Sequence, residues 1–130
     1  MIRSLLIIVI YLSCSNIYGQ GHELLFRELK NNLKNANAKD LVKHTSSMVT
    51  IKILGEEYNC NKTQGEMILK EFFKKFPPVD YENVHLGKAK DGALYYSIGN
   101  YIHSKGIFKV YTLIKQVDGI FLIDTLDFSE

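Results

Sequence analysis

Residues 63–78 read TQGEMILKEFFKKFPP. Ile68, Leu69, Phe72, Phe73 and Phe76 recur at i, i+1, i+4, i+5 and i+8, which draws one apolar stripe along a helix. Thr63 to Glu66 has the spacing of a capping box, in which the Thr63 hydroxyl accepts from the Glu66 amide and the Glu66 carboxylate reaches back. Pro77 and Pro78 end the helix, because the residue before a proline is pushed out of helical geometry. What lies on either side of this helix decides the fold class.

Downstream, everything from Tyr81 reads as antiparallel sheet. Turn signals at Asp91-Gly92, Lys105-Gly106 and Asp118-Gly119 separate strands expected over 81–90, 93–103, 107–117 and 120–128. Upstream, Leu25, Leu29, Leu33 and Ala36 place a helix over 22–36, with charged residues on its other side. Asn37 can cap a second short helix whose first turn holds Asp40. Val49, Ile51 and Ile53 alternate with polar residues, so 47–54 is a strand, and Gly55 turns it into a short partner, 56–60. Helices come early and most strands come late, an α+β order: three N-terminal helices on a curved, mainly antiparallel sheet shaped as an open cone.

The first residues stand apart from this domain. Arg3 precedes the apolar run Leu5–Leu12, too short for a membrane span of roughly 20 residues but right for a signal peptide. Gly19 before Gln20 fits ordinary cleavage, giving a signal peptide at 1–19 and a domain at 20–130. The less favoured alternative is a lipoprotein acylated at Cys14, with Tyr11 standing where a Leu is usual. The expected protein is exported, periplasmic or extracellular, with no transmembrane helix in the mature chain. Only Cys60 then remains, so no internal disulfide can form. A formal charge of +2, one unit less without Arg3, gives no electrostatic reason to expect nucleic acid.

The layout and specific residues resemble the nuclear-transport-factor-2-like (cystatin-like) fold. Within it the chain resembles the short exported proteins of the Bacteroidetes type called domain of unknown function 4783. Tyr58, the run Gln64–Phe73, Pro77-Pro78, His85 with Gly87, Asp91-Gly92-Ala93, Ile98-Gly99, Lys109-Val110-Tyr111 and Leu126 carry the likeness. Gly65 stands where that family would have a small alanine. The resemblance implies a fold but transfers no catalytic residue, and the wider superfamily holds both enzymes and non-catalytic domains.

Candidate chemistry is sparse. His22, His44, His85 and His103 show no ligand spacing and Cys60 has no partner cysteine, so neither a metal nor another cofactor is expected. Cys60 lies just before a helix, where the macrodipole could lower its pKa, although a half-buried structural thiol is the simpler reading. Asn61-Lys62-Thr63 matches a glycosylation pattern but reads more simply as the lead into the helix. An acid–base site would draw on Tyr58, Tyr96, Asp124 and Asp127, with only one of the aspartates able to face inward.

The hairpin joining 93–103 to 107–117 assigns the remaining residues. A two-residue turn at Lys105-Gly106 pairs Ser104 with Ile107; a three-residue loop, 104–106, pairs His103 with Ile107 and separates the faces better. That register puts Leu94, Tyr96, Ile98, Ile102, Phe108, Val110 and Ile114 inside, with Asn100 and Thr112 as polar groups that orient a ligand. Tyr58, Tyr96, Asn100 and Thr112 are thus the expected ligand-binding residues. Tyr95, Tyr101, Tyr111 and Leu113 fall outside, with Tyr111 over Gly99, and form the expected surface of a homodimer. The sequence therefore predicts a non-catalytic binding or interaction domain with a cavity for a small apolar ligand. The alternative is a small isomerase, dehydratase or hydrolase using that cavity.

Overall fold

The computed structural model describes residues 21–89 and 93–130. The expected signal peptide, Cys14 and the Asp91-Gly92 turn lie outside these residues. Helix α1 spans Gly21–Lys34, α2 Ala38–Lys43 and α3 Lys62–Lys75. The strands are β1 Thr45–Ile53, β2 Glu56–Asn61, β3 Pro78–Lys88, β4 Leu94–His103, β5 Gly106–Val117 and β6 Ile120–Ser129. They form one six-stranded sheet in the order β2-β1-β6-β5-β4-β3, antiparallel throughout except for the parallel β1–β6 pair. The helices cover one face of this curved sheet, so the α+β class and layout are as the sequence predicts. Among the described residues no helix is long and apolar enough to cross a membrane.

The core lies between that face and the helices. Leu25, Phe26, Leu29 and Leu33 of α1 and Leu69, Phe72 and Phe73 of α3 are buried against Val49, Ile51, Val110, Ile114, Ile123, Leu126 and Phe128. Phe72 is the hub of an aromatic cluster, with its ring centroid 4.4 Å from that of Phe128 and 5.4 Å from that of Tyr101. Asn37 caps α2 as expected, accepting from the Asp40 amide at 3.1 Å.

The cap of α3 differs from expectation. β2 runs to Asn61, and the chain enters the helix at the next residue. Asn61, in extended conformation, is the N-cap: its Oδ1 accepts from the Gln64 amide at 2.9 Å and Gln64 Oε1 accepts from the Asn61 amide at 3.1 Å. The capping box is thus Asn61–Gln64, displaced from Thr63–Glu66 because the strand consumes the expected lead-in. Gly65 then falls in the buried first turn, where a Cβ would meet Ile51 Cδ1 at 3.4 Å and Cys60 Sγ at 3.6 Å.

The β4–β5 hairpin also differs. The turn is Ser104-Lys105, and Gly106 (φ 150°) pairs with His103 as the first residue of β5. This shifts the register by one residue from the expected loop and turns β4 over, since side chains alternate with period two. Tyr95, Ser97, Gly99, Tyr101 and His103 face the helices, whereas Leu94, Tyr96, Ile98, Asn100 and Ile102 face outward. β5 keeps its expected faces, with Phe108, Val110, Thr112 and Ile114 buried.

The observed register lets Tyr101 pack flat against Phe73 and Phe108 while its hydroxyl donates to the Phe76 carbonyl at 2.5 Å. A buried phenol with a partner outweighs the aliphatic side chains that β4 leaves outside.

Candidate functional site

Between the β1–β2 hairpin and α3 lies a groove of about 510 Å³. That volume falls within the range of small-molecule sites, roughly 300–1,000 Å³. Ile53, Leu54 and Tyr58 come from the hairpin; Met67, Ile68, Phe72 and Phe76 come from α3 and its C-cap. Met67 is 65% exposed and Leu54 39%, so apolar surface is left in water along the groove. On α3, Ile68 and Phe72 lie one turn apart and the C-cap Phe76 continues their line; Met67 adds one apolar side chain beside them, next to Glu71 and Lys75.

Leu54 sits there in a left-handed conformation (φ 50°), followed by Gly55 at φ 92°. Two successive positive φ values close a tight hairpin turn, a place normally held by Asn, Asp or Gly. A leucine in this conformation costs about 1–2 kcal/mol, and the fold bears that cost at the groove's rim.

The polar groups of the groove lie at its edge. The Tyr58 hydroxyl donates to Glu56 Oε2 at 2.6 Å, and this carboxylate holds the phenol above its ordinary pKa. Glu71 and Lys75 line the helix side, with the Lys75 ammonium 5.5 Å from the Phe76 ring centroid.

A second hollow of about 360 Å³ shares Leu54 and Phe76 with the first. It continues over Phe108, Ile107, Gly106 and Lys105 to Glu130, and His103 lines it from within. His103 stacks on Phe108 at 4.4 Å between centroids and meets Phe76 edge-on at 5.3 Å.

The structure redistributes the sequence-predicted residues. Tyr58 lines the groove, as expected of a ligand-binding residue. Thr112 faces inward but is fully buried beside its cross-strand partner Ser97, and it is not part of the groove wall. Tyr96 and Asn100 are on the outer face, because the register turned β4 over. For the same reason Tyr95 and Tyr101 leave the expected dimer surface: Tyr101 is wholly buried, and Tyr95 stacks on His22 at 4.4 Å on the helix-covered side. Tyr111 and Leu113 remain outside, where Tyr111 stacks on Tyr96 at 6.2 Å rather than covering Gly99. Gly99 is covered instead by Tyr81 from the inner side.

Neither aspartate enters the core. A bulge between Leu113 and Ile114 leaves Asp124 as the extra residue of β6, and its carboxylate pairs with Lys115 at 3.2 Å. Asp127 lies opposite Tyr111 on the outer face. Burial pushes the Cys60 thiol up rather than down, and its Sγ lies 3.6 Å from the Val49 carbonyl, so the structural reading of this cysteine holds. Among the described residues no three His, Cys, Asp or Glu side chains converge as metal ligands. Sequence reasoning missed Leu54, Met67, Phe76 and His103. The apolar stripe from Ile68 to Phe76 was the one signal pointing to the helix side of the groove.

Comparison with known proteins bears on the family and the fold. The family model described as domain of unknown function (DUF4783) matches residues 26–129. A DUF4783 family protein from Bacteroides ovatus superposes with a TM-score of 0.73 at 22% identity, over 79% of this chain and 92% of that one. One from Bacteroides uniformis gives 0.74 at 19% identity, over 80% and 94%. An NTF2-like protein of unknown function from Shewanella baltica gives 0.65 at 12% identity, over 88% and 96%. At these identities the likeness is one of fold. No functionally curated protein matches the chain.

Proposed function

We propose, from the premise that this chain belongs to the DUF4783 family, that it is an exported, non-catalytic binding domain. Its ligand is a small apolar molecule held in the groove between α3 and the β1–β2 hairpin. The observation that carries this reading is the exposed apolar lining of that groove, with Leu54 kept in a left-handed conformation at its rim. A binding role is favoured over the cavity-enzyme alternative because the carboxylates near the groove, Glu56 and Glu71, are solvent-exposed, while Asp124 and Asp127 lie on the far side of the sheet. Low-dielectric burial of an acid, the usual device for acid–base work, has no counterpart at the groove.

Export is proposed from the signal-like segment 1–19, with the mature chain starting at Gln20; the intact mass of the exported protein tests it. A second reading concerns the outer sheet face, where Tyr96, Ile98, Tyr111 and Leu113 adjoin and two rings stack. A second copy of the chain is proposed to cover them.

The groove is tested by titration with N-phenyl-1-naphthylamine, an uncharged probe that fluoresces in apolar sites. One saturable site is expected in the wild type, weakened in Met67→Glu and in Leu54→Asn. Equal binding by all three proteins, or no saturable binding by the wild type, overturns the reading.

A further inference from the structure

We propose that His103 is the polar anchor of this groove: its buried Nε2–H donor receives the uncharged acceptor oxygen of an amphiphile, a ketone, ester or amide carbonyl, whose alkyl body lies along α3. The proposal rests on the groove reading above and deepens it from apolar ligand to neutral carbonyl-bearing amphiphile.

The hydrogen bonding of the ring fixes its role. The Lys105 backbone N–H donates to His103 Nδ1 at 3.3 Å. Nδ1 is therefore the acceptor, and in the neutral imidazole the proton sits on Nε2. His103 is only 8% exposed, and Nε2 is fully buried without a protein partner. A buried donor left without a partner costs about 1–3 kcal/mol, so the fold keeps this group in place at a disadvantage.

Its direction is informative. Nε2 lies toward Gly106, where a Cβ would stand 4.0 Å away, and both residues line the second hollow. Phe76 and Phe108 hold the ring on two sides and make its surroundings apolar. The two hollows meet over Leu54 and Phe76, which gives an apolar track ending at a buried donor. The ionic groups there, Lys105 and Glu130, are exposed and opposite in sign. With no net cationic field, a neutral oxygen suits the site better than a carboxylate.

The test compares 2-nonanone, nonane and nonanoate as competitors of N-phenyl-1-naphthylamine, in the wild type, His103→Phe and His103→Gln. Phenylalanine keeps the stacking and removes the donor; glutamine keeps an N–H. The affinity ratio of 2-nonanone to nonane is expected to fall roughly three- to tenfold in His103→Phe, one lost hydrogen bond, and to be largely restored in His103→Gln. An unchanged ratio in a folded His103→Phe overturns the anchor and leaves the groove standing. A loss confined to nonanoate overturns the neutral acceptor. Competition by none of the three in the wild type sinks the groove reading and the anchor together.

Discussion

The Tyr81 hydroxyl lies directly over Gly99 on the neighbouring strand, in the volume a side chain at that position would fill. Both residues are on the buried face, and Tyr81 is fully enclosed. A Cβ on Gly99 would also stand 2.8 Å from the Glu82 carbonyl oxygen, which is backbone and cannot swing aside. Gly99→Ala is therefore expected to destabilise the domain by about 1–3 kcal/mol, the usual cost of overpacking. Urea denaturation measures it; an unchanged midpoint would show that β3 and β4 separate freely.

The cap of α3 gives a paired test. Asn61→Ala removes the side-chain acceptor of the Gln64 amide and leaves the backbone N–H that donates to Gln64 Oε1. It is expected to cost about 0.5–2 kcal/mol. Thr63→Ala should change stability by no more than a few tenths of that scale, since Thr63 is exposed within the first turn. Thermal melts of the two variants decide which residue is the cap.

Phe72→Ala is expected to cost roughly 3–5 kcal/mol, as for other buried aromatics. Its ring touches Phe73, Phe76, Tyr101, Phe108 and Phe128. Against a typical total of 5–15 kcal/mol this brings the domain close to unfolding. Circular dichroism under denaturant would reveal a wild-type midpoint if the cluster were dispensable.

Alkali should unfold the protein through three buried acids. Burial raises Cys60 above its ordinary 9.0 and both Tyr81 and Tyr101 above 10.0. Folding favours their protonated forms, so the stability they contribute is fully present below the unfolded values. It is lost as pH climbs from about 9 towards the folded values. The melting temperature is expected to fall steadily above about pH 9, and the fall should be shallower in Tyr81→Phe. A melting temperature that stays level through strongly alkaline solution would contradict the burial of these groups.

The outer face predicts self-association. Tyr111→Glu places a charge beside Tyr96, against which Tyr111 stacks. Sedimentation should show a wild-type dimer that this substitution dissociates without lowering the melting temperature. A wild type that stays monomeric at high concentration removes the second copy as the occupant.

The order of elements, the α+β class and the family likeness were legible in the residues themselves. A helical stripe such as Ile68 to Phe76, a double proline and the Asp118-Gly119 turn are local signals, and local geometry enforces them: Asp118 and Gly119 do take positive φ values. The face of β4 was not legible. Leu94, Tyr96, Ile98 and Ile102 are apolar on one side and Tyr95 and Tyr101 on the other, so period two alone leaves the choice open. Tertiary packing decided it, because only one register pairs Tyr101 with Phe108, satisfies the Tyr101 hydroxyl at Phe76 and seats Tyr81 over Gly99. The groove was decided at the same level: its walls come from the β1–β2 hairpin and from α3, and these separate segments form one lining only once the two elements are packed together.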